Sequence, residues 1–306
     1  MLDVDLRKAN ELFHDTESGC YDSKWGIQYD QDTAARVRHK FEKVLCGPFP
    51  RVEKLLEVGC GTGYAGLNLC LSGDLIGEYF ACDISQGMVD TCERNAVELG
   101  IKVNARQSEL ECLDYPDGEF DMVVGHAILH HIPDIGGALS EIHRVLKPGG
   151  VCMLVGEPTK VGDVMGRIAR KCVSSLLKPY ARMGGRFGGS PAKLRDTCLP
   201  PDDGRDVREF ETVVDIHTFR PAEVCRAARS AGFAEARYES EEFLSSFVGW
   251  ITRSVENMLA DENISLRWRQ GAYTTYLKLS RVDERIYRYL PSSWFYNMLL
   301  YARKSD

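Results

Sequence analysis

The chain has 306 residues, a formal net charge of −7 and a hydrophobic content of 44%. This length can bury one large core or two modest ones, and no stretch approaches the roughly 20 uninterrupted apolar residues that cross a bilayer. The first residues have neither the basic nor the apolar region of a secretory signal. The eleven cysteines include no C-x-x-C pair, which favours reduced thiols in a cytoplasm over a disulfide framework or a zinc site.

In chain order, residues 1–50 have a helical pattern, and strands and helices then alternate. The first five strands are predicted near 53–58, 78–83, 101–106, 119–125 and 150–156. This alternation predicts a parallel, doubly wound α/β sheet. Further on, Pro221 stands near the start of a helix that ends at Ala231, and a strand follows near 236–238. Residues from about 241 to 289 look helical, and the last strand is predicted over 296–303.

The most informative segment is the run from Leu55 to Gly63, which reads LLEVGCGTG. An apolar strand ends at Glu57 and Val58, a Gly-x-Gly-x-Gly turn follows, and a helix is predicted over 64–71. Glycines at such a turn allow a sharp reversal and let a ligand approach the bare backbone. The turn alone indicates a nucleotide-type site at the end of a parallel strand, and it differs from the dinucleotide fingerprint Gly-x-Gly-x-x-Gly.

A second strand, Phe80-Ala81-Cys82-Asp83, ends in a carboxylate twenty residues after Gly63. A carboxylate at this place can accept both hydroxyls of a ribose. Two further blocks follow, Phe120 to His131 (FDMVVGHAILHH) and Glu141 to Gly150 (EIHRVLKPGG). Together the four blocks resemble the class I S-adenosylmethionine-dependent methyltransferases, over roughly Arg51 to Glu157.

The resemblance implies a Rossmann-like, seven-stranded, mostly parallel sheet with helical lid insertions. We expect an N-terminal helical cap over 1–50, an S-adenosylmethionine-binding core over 51–160 and a basic lid segment over 161–210. The rest of the same sheet would follow over 211–306. In the family the last two strands pair at one edge of the sheet, so residues 241–289 would be an insertion between them.

The resemblance also implies roles for individual residues toward S-adenosylmethionine. The backbone of the turn would approach the methionine and ribose part, Glu57 would support the turn or hold the amino group, and Asp83 would hold the ribose hydroxyls. Ile84 would pack on the adenine, and Glu109 with Leu110 would meet its edge, where the family usually has Asp-Ala. The cofactor-binding set is Glu57, Gly59, Gly61, Gly63, Asp83, Ile84, Glu109, Leu110 and Gly125.

Methyl transfer asks the protein mainly to align a nucleophile and exclude water, because the sulfonium is already activated. A general base is needed only for a hydroxyl or a weakly acidic carbon. Our candidates are His126, Glu157 and His217, in that order. The pair His130-His131 is interpreted as mostly structural, and His14 as a histidine on a helix surface. No metal-ligand spacing is present.

The acceptor is indicated only indirectly. Val164 to Arg195 contains eight basic residues and no acidic one, and its first half, 164–178, fits an amphipathic helix. This segment is either a solvated surface or a lid that meets an anionic headgroup, a phosphate or a membrane surface. The insertion over 241–289 is rich in apolar and aromatic residues. Together with the basic segment it suits a small-molecule or lipid-like acceptor, such as a lipid, a quinone precursor or a polyketide-like aromatic.

Three other functions stay open. An RNA methyltransferase is disfavoured, because the basic residues form one segment of a chain with a pI near 5.6 rather than a broad positive face. The motif for exocyclic base nitrogens is also missing after the fourth strand. A protein substrate would leave no sequence signal. A non-catalytic scaffold that binds the cofactor and regulates a partner is the third. We expect a cytoplasmic protein, peripheral to a membrane if the basic segment binds one.

Overall fold

In a computed structural model, residues 6–182, 217–256 and 266–306 are described. They divide into two compact units. The first unit comprises residues 6–157, 217–239 and 299–306, and the second comprises 158–182, 240–256 and 266–298.

Helices precede the sheet. They are α1 (Leu6–Glu17), α2 (Tyr21–Trp25) and α3 (Gln31–Leu45). α3 begins with an Asp30 side chain that accepts from the Thr33 amide at 2.7 Å, the usual way a helix N-terminus is satisfied. The buried face of α3, which includes Val37 and Phe41, packs into the core of the first unit. The predicted helical character of residues 1–50 is thus found over the described part.

The following segment alternates strands and helices as predicted. It contains β1 (Val52–Val58), α4 (Tyr64–Leu71), β2 (Ile76–Asp83), α5 (Gln86–Leu99), β3 (Val103–Gln107), β4 (Phe120–His126), α6 (Ile135–Val145) and β5 (Leu146–Pro158). After residue 216 come α8 (Pro221–Ser230), β6 (Glu235–Glu241) and finally β7 (Asn297–Arg303). The helix at Pro221 and all seven predicted strands are confirmed.

The seven strands form one sheet in the order β3-β2-β1-β4-β5-β7-β6. β1 pairs in parallel with both β2 and β4, β2 with β3, and β4 with β5. The reversal of strand order lies between β1 and β4, and ligands bind at the carboxyl ends of strands beside such a point. The expected Rossmann-like, mostly parallel architecture is confirmed, with β6 and β7 adjacent at one edge.

The second unit is helical. It contains α7 (Lys160–Arg182), α9 (Leu244–Glu256) and α10 (Leu266–Ile286), followed by short 3-10 turns at Tyr287–Tyr289 and Ser292–Trp294. α9 and α10 lie between β6 and β7, the last two strands, where a helical insertion was expected. The first half of the basic segment is helical as predicted, whereas its second half, from residue 183, lies outside the described residues. The basic helix and the insertion, which we expected as separate segments, belong to one unit.

Among the described residues, nine cysteines are free thiols and Cys20 is disulfide-bonded, so the expectation of reduced thiols throughout is wrong at Cys20. Within the described residues, no helix combines the length and apolarity needed to cross a membrane.

Candidate functional site

The glycine turn lies between β1 and α4. Gly59, Gly61 and Gly63 have φ angles of 57°, 51° and 92°, in the left-handed region that side chains rarely adopt. A Cβ built on Gly61 would meet nothing within 4 Å, so this part of the turn presents open backbone. The Cys60 amide donates to the Cys82 carbonyl at 3.0 Å, which ties the turn to β2. Close approach of a ligand to the backbone is therefore possible at Gly61, whereas the Ile128 and Leu67 side chains pack against Gly59 and Gly63.

Asp83 stands at the carboxyl end of β2, beside this turn. Its Oδ2 accepts from the Gly61 amide at 2.8 Å and its Oδ1 from the Ser85 amide at 3.0 Å. Burial raises the pKa of Asp83, while the Ser85 and Gly61 amides oppose the rise. Because a carboxylate offers about four lone-pair positions, each oxygen can still accept another hydrogen bond. Asp83 thus fixes the turn and can receive ligand hydroxyls.

Glu57 lies beneath the turn and is 1% exposed. Its Oε1 accepts from the Ala65 amide and its Oε2 from the Gly66 amide, both at 3.0 Å, and the Tyr79 hydroxyl also donates to Oε2. Burial raises the pKa of Glu57 to about 7, although these donors act in the opposite direction. Of the two roles considered for Glu57, the geometry favours support of the turn over contact with an amino group.

A second network holds the same turn from outside. The Tyr29 hydroxyl is 2.8 Å from the Thr62 carbonyl and 3.0 Å from the Thr62 Oγ1. The Asn95 side chain donates through its Nδ2 to the same carbonyl at 3.0 Å. Burial raises the pKa of Tyr29, so its hydroxyl keeps its proton and acts as a donor. Sequence reasoning missed these residues, because no local pattern shows that Tyr29 and Asn95 meet.

α1 extends over the carboxyl edge of the sheet. Its Asp15 Oδ1 accepts from the Ser85 hydroxyl at 2.5 Å and the Gly87 amide at 2.9 Å, at the start of α5. Five residues earlier, the Asn10 side chain donates through its Nδ2 to the His131 carbonyl at 3.2 Å, in the segment after β4. α1, in the segment expected to form the cap, is therefore fastened at both sides of the strand-order reversal. The cap was predicted as a segment, but neither anchor was.

The residues expected at the adenine end lie beside α1. The Ile84 carbonyl accepts from the Gln107 side chain at 2.8 Å, and Leu110 is buried. The Glu109 carboxylate is about half exposed and lies 3.7 Å from Arg7 of α1. These three residues are close to Asp83 in the fold, and their contact with adenine stays a prediction.

The end of β4 has an unusual backbone conformation. Gly125 packs tightly, since a Cβ there would lie 2.9 Å from Leu154 and 3.1 Å from the Val58 carbonyl. Two residues later, Ala127 has a φ of 56°, a conformation that costs energy for a residue with a side chain. His126 lies between them, with its ring 4.9 Å from that of Tyr64. Burial, with repulsion from Lys40 and His130, lowers the pKa of His126, which keeps the imidazole neutral.

Glu157 is completely buried below this segment. Its Oε1 accepts from the Ile128 and Leu129 amides at 2.8 and 2.9 Å, and its Oε2 lies 2.9 Å from the His130 Nδ1. Burial would raise the pKa of Glu157, but the His130 interactions and the two amides outweigh it, so the net shift is downward. The geometry argues against Glu157 as a general base and assigns it to holding the backbone after β4.

Two more histidines adjoin that backbone. The His217 amide donates to the His130 carbonyl at 3.2 Å, and no partner for the buried His217 Nε2 is found among the described residues. The His14 ring lies 5.3 Å from that of His131. Burial, followed by repulsion from His131 and His130, lowers the pKa of His14 to about 3. His14 is thus a partly exposed residue of α1 that packs against His131.

Comparison with known proteins decides the class of this site. Residues 56–154 match the family described as "Methyltransferase domain", which spans the glycine turn, Asp83 and the end of β4. These residues are a class I S-adenosylmethionine-dependent methyltransferase domain. The family recognised in the sequence is confirmed, together with S-adenosylmethionine as the cofactor of that family.

Relatives of the methyltransferase domain have several activities. The chain is 32% identical over 122 residues to the biotin biosynthesis bifunctional protein BioHC of Saccharophagus degradans, which is 40% of this chain and 21% of that protein. It is 34% identical over 112 residues to the demethylmenaquinone methyltransferase of Anoxybacillus flavithermus, covering 36% and 47% of the two chains. The chain thus spans less than half the length of either relative.

Solved structures extend the likeness beyond the methyltransferase domain. The phosphoethanolamine N-methyltransferase 2 of Haemonchus contortus, in complex with phosphomonomethylethanolamine and S-adenosylhomocysteine, superposes with a TM-score of 0.60. The alignment covers 99% of this chain and 61% of that one at 14% identity. At that identity the likeness shows the shared fold alone.

Proposed function

We propose that this chain transfers a methyl group from S-adenosylmethionine to a small-molecule or lipid-like acceptor. The observation that carries the proposal is the junction of the glycine turn and β2, where open backbone at Gly61 and the Asp83 carboxylate lie within one hydrogen bond of each other. The residues present fit the cofactor, since the backbone at Gly61 is open and the Asp83 carboxylate can still accept hydroxyl hydrogens.

When bound, S-adenosylmethionine supplies a methyl group already activated by the positive sulfonium. The backbone of Gly59, Gly61 and Gly63 would hold its methionine and ribose portion, and Asp83 its ribose hydroxyls. Ile84, Glu109 and Leu110 would contact the adenine, and Gly125 would complete the floor of the site. Glu57 keeps the turn in shape from below. The protein's main contribution is then orientation and exclusion of water.

His126 is the first candidate for a proton acceptor. Its imidazole is neutral because burial lowers its pKa, and a neutral imidazole can take a proton from an acceptor hydroxyl. His217, beside the His130 carbonyl, is the second candidate. An amine acceptor that reacts in its neutral form would need neither, so His126→Gln should reduce the rate with hydroxyl acceptors more than with such amines.

The small-molecule acceptor is supported by the relatives that methylate quinone precursors, such as the demethylmenaquinone enzyme. It is also supported by the helical second unit, whose described part is rich in aromatic side chains. RNA and protein acceptors are the alternatives, and a cofactor-binding scaffold without turnover is a third.

The first test is calorimetric titration of the wild type and Asp83→Ala with S-adenosylmethionine and S-adenosylhomocysteine. We expect micromolar binding that the substitution weakens by about 1–3 kcal/mol, which is the cost of losing hydrogen bonds to a charged group. Asp74→Ala is the matched control, because Asp74 is an exposed carboxylate of the same unit, on the turn before β2.

Absence of binding to the wild type, or equal binding by Asp83→Ala, would contradict the assigned cofactor site. With binding secured, release of S-adenosylhomocysteine is measured with phenolic quinone precursors, aminoalcohol phosphates, RNA and protein extracts as acceptors. Turnover confined to RNA or protein would overturn the small-molecule proposal, and tight binding without any turnover would favour the scaffold.

A further inference from the structure

α7 carries an apolar stripe on its exposed side. Val161, Val164 and Ile168 are spaced by three and four residues, so they lie along one face of the helix. Their exposed fractions are 38%, 44% and 57%. A helix that packs on a core with one side normally has polar residues on the other. This stripe departs from that rule and needs a different explanation.

The opposite side of α7 already has its packing partner. Gly162, Gly166 and Ala169 are the buried positions, and a Cβ on Gly166 would lie 3.0 Å from the Trp250 ring of α9. Small residues therefore let α7 and α9 approach closely within the second unit. The exposed stripe is centred about 130° around the helix axis from these buried positions and is not part of that contact.

Cations border the stripe. Lys160, Arg167 and Lys171 are exposed, and at 100° per residue they fall together along one edge of the apolar face. The single acidic residue of the first turn, Asp163, pairs with Arg167 at 3.0 Å. From residue 164 to 195 the sequence contains no acid at all. An apolar stripe bordered by Lys and Arg is the pattern of helices that lie in the headgroup region of anionic membranes.

Other exposed apolar side chains belong to the same unit. Among the described residues, large hydrophobic side chains are exposed at eleven positions, and nine of these are in the second unit. They include Trp268, Tyr289 and Trp294, and the 3-10 turn at Ser292–Trp294 packs against α7. Tryptophan and tyrosine are favoured at membrane interfaces, because one part of the ring is apolar and another can hydrogen-bond.

We infer that α7 binds the surface of an anionic membrane, with Val161, Val164 and Ile168 inserted among the acyl chains and the adjoining cations at the lipid headgroups. The charge of the helix favours lipid over a protein partner, since its exposed cations complement anionic headgroups. The inference does not depend on the proposed methyl transfer, because it concerns surface binding by the second unit.

The test is flotation of the full chain with phosphatidylcholine vesicles containing 30% phosphatidylglycerol, compared with pure phosphatidylcholine. We expect binding to the anionic vesicles that decreases between 0.05 and 0.5 M salt, because ions screen the headgroup attraction. The double variant Val164→Ser with Ile168→Ser should reduce the partition constant for the anionic vesicles at least tenfold. Val97→Ser is the control, since Val97 is an exposed valine on α5 of the first unit.

A second double variant, Val164→Leu with Ile168→Leu, controls for loss of folding caused by substitution at these two positions. It should bind at least as well as the wild type, because it keeps the apolar stripe and adds surface. Lack of binding to anionic vesicles at low salt would overturn the inference, as would unchanged binding of the serine variant. It would also be overturned if the stripe proved to be covered by a second copy, seen as a dimer that the serine variant dissociates.

Discussion

At the scale of single residues, Glu57 shows how one buried carboxylate can organise a binding turn. It collects donors from the Ala65 and Gly66 amides at the start of α4 and from the Tyr79 hydroxyl on β2. Bringing a carboxylate out of water is costly unless its oxygens are satisfied, and here both are. Glu57 therefore joins the strand before the turn, the helix after it and the neighbouring strand.

Replacing Glu57 by glutamine should lower the free energy of unfolding by about 1–3 kcal/mol, because the new NH2 group would face a backbone donor and leave it unsatisfied. Urea titration followed by circular dichroism measures the change. Glu53→Gln serves as the control, since Glu53 is an exposed carboxylate on the same strand. Equal stability of Glu57→Gln and the wild type would show that the carboxylate does not hold the turn.

His14 gives the molecule a predictable response to acid. In the folded chain its pKa is lowered to about 3 by burial and by His131, His130 and Lys24, whereas in the unfolded chain it is about 6.5. Between these values the unfolded chain binds a proton that the folded chain does not. The contribution of His14 to stability is thus complete above pH 6.5 and is lost as the pH falls toward 3.

We therefore expect His14→Gln to flatten the dependence of stability on pH between 6 and 4, by up to about 1.4 kcal/mol per pH unit for one proton. Urea unfolding at a series of pH values provides the slope. The control substitution is His39→Gln, because His39 is an exposed histidine of α3. A slope that is the same in His14→Gln and the wild type would refute the assignment.

Residues of the site differ in how far the sequence revealed them. The glycines and Asp83 were predicted, because a turn after a strand has a local signature and the next strand end follows at a fixed distance. Asp15, Tyr29 and Asn95 were not, because each acts through contacts with segments distant in sequence. Glu157 was placed correctly at a strand end, but only the fold shows that its oxygens hold backbone amides and His130.

At the scale of elements, Asp283 on α10 controls the start of α9. Its Oδ1 accepts from the Leu244 amide at 2.9 Å, and its Oδ2 accepts from the amides of Phe243 and Ser245 and from the Ser245 hydroxyl. A helix leaves its first amides without partners inside the helix, and a side chain usually satisfies them locally. Here the carboxylate comes from another helix, so the cap also joins the two helices.

Asp283→Asn should destabilise the second unit by at least about 2 kcal/mol, because hydrogen bonds to a charged group are lost and an NH2 group faces backbone donors. Hydrogen exchange at residues 243–245 should accelerate relative to the wild type. The neighbouring exposed Glu284→Gln provides the control. Unchanged protection of these amides in Asp283→Asn would exclude the capping role.

Helix and strand positions were largely predictable. α4 was predicted over 64–71, as found, because a glycine turn sets its start and the apolar run its length. β5 is longer than predicted, since Leu146 to Gly150 also extends along the sheet despite its proline and glycines. The Asp283 carboxylate that caps α9 lies about 40 residues away in the chain. Because no local sequence pattern indicates such a contact, it could not be predicted.

At the scale of the whole molecule, alternation of strands and helices predicted the sheet, and a short set of motifs predicted its family. The division into units was harder to foresee. The second unit is assembled from two stretches separated by a strand and a helix of the first, so no single composition boundary delimits it. The family motifs do not indicate the methyl acceptor either, because they are expected to bind the cofactor.

The place of β7 has a consequence for how the protein is made. β7 lies between β5 and β6, and all its residues but Arg303 are buried. A ribosome releases β5, which ends at Pro158, long before β7, which begins at Asn297. Throughout that interval the nascent chain carries an uncovered, apolar strand edge, the type of surface that pairs with other chains. Newly synthesised molecules are therefore most prone to aggregate before β7 has paired with β5, when a holding chaperone would be of greatest use.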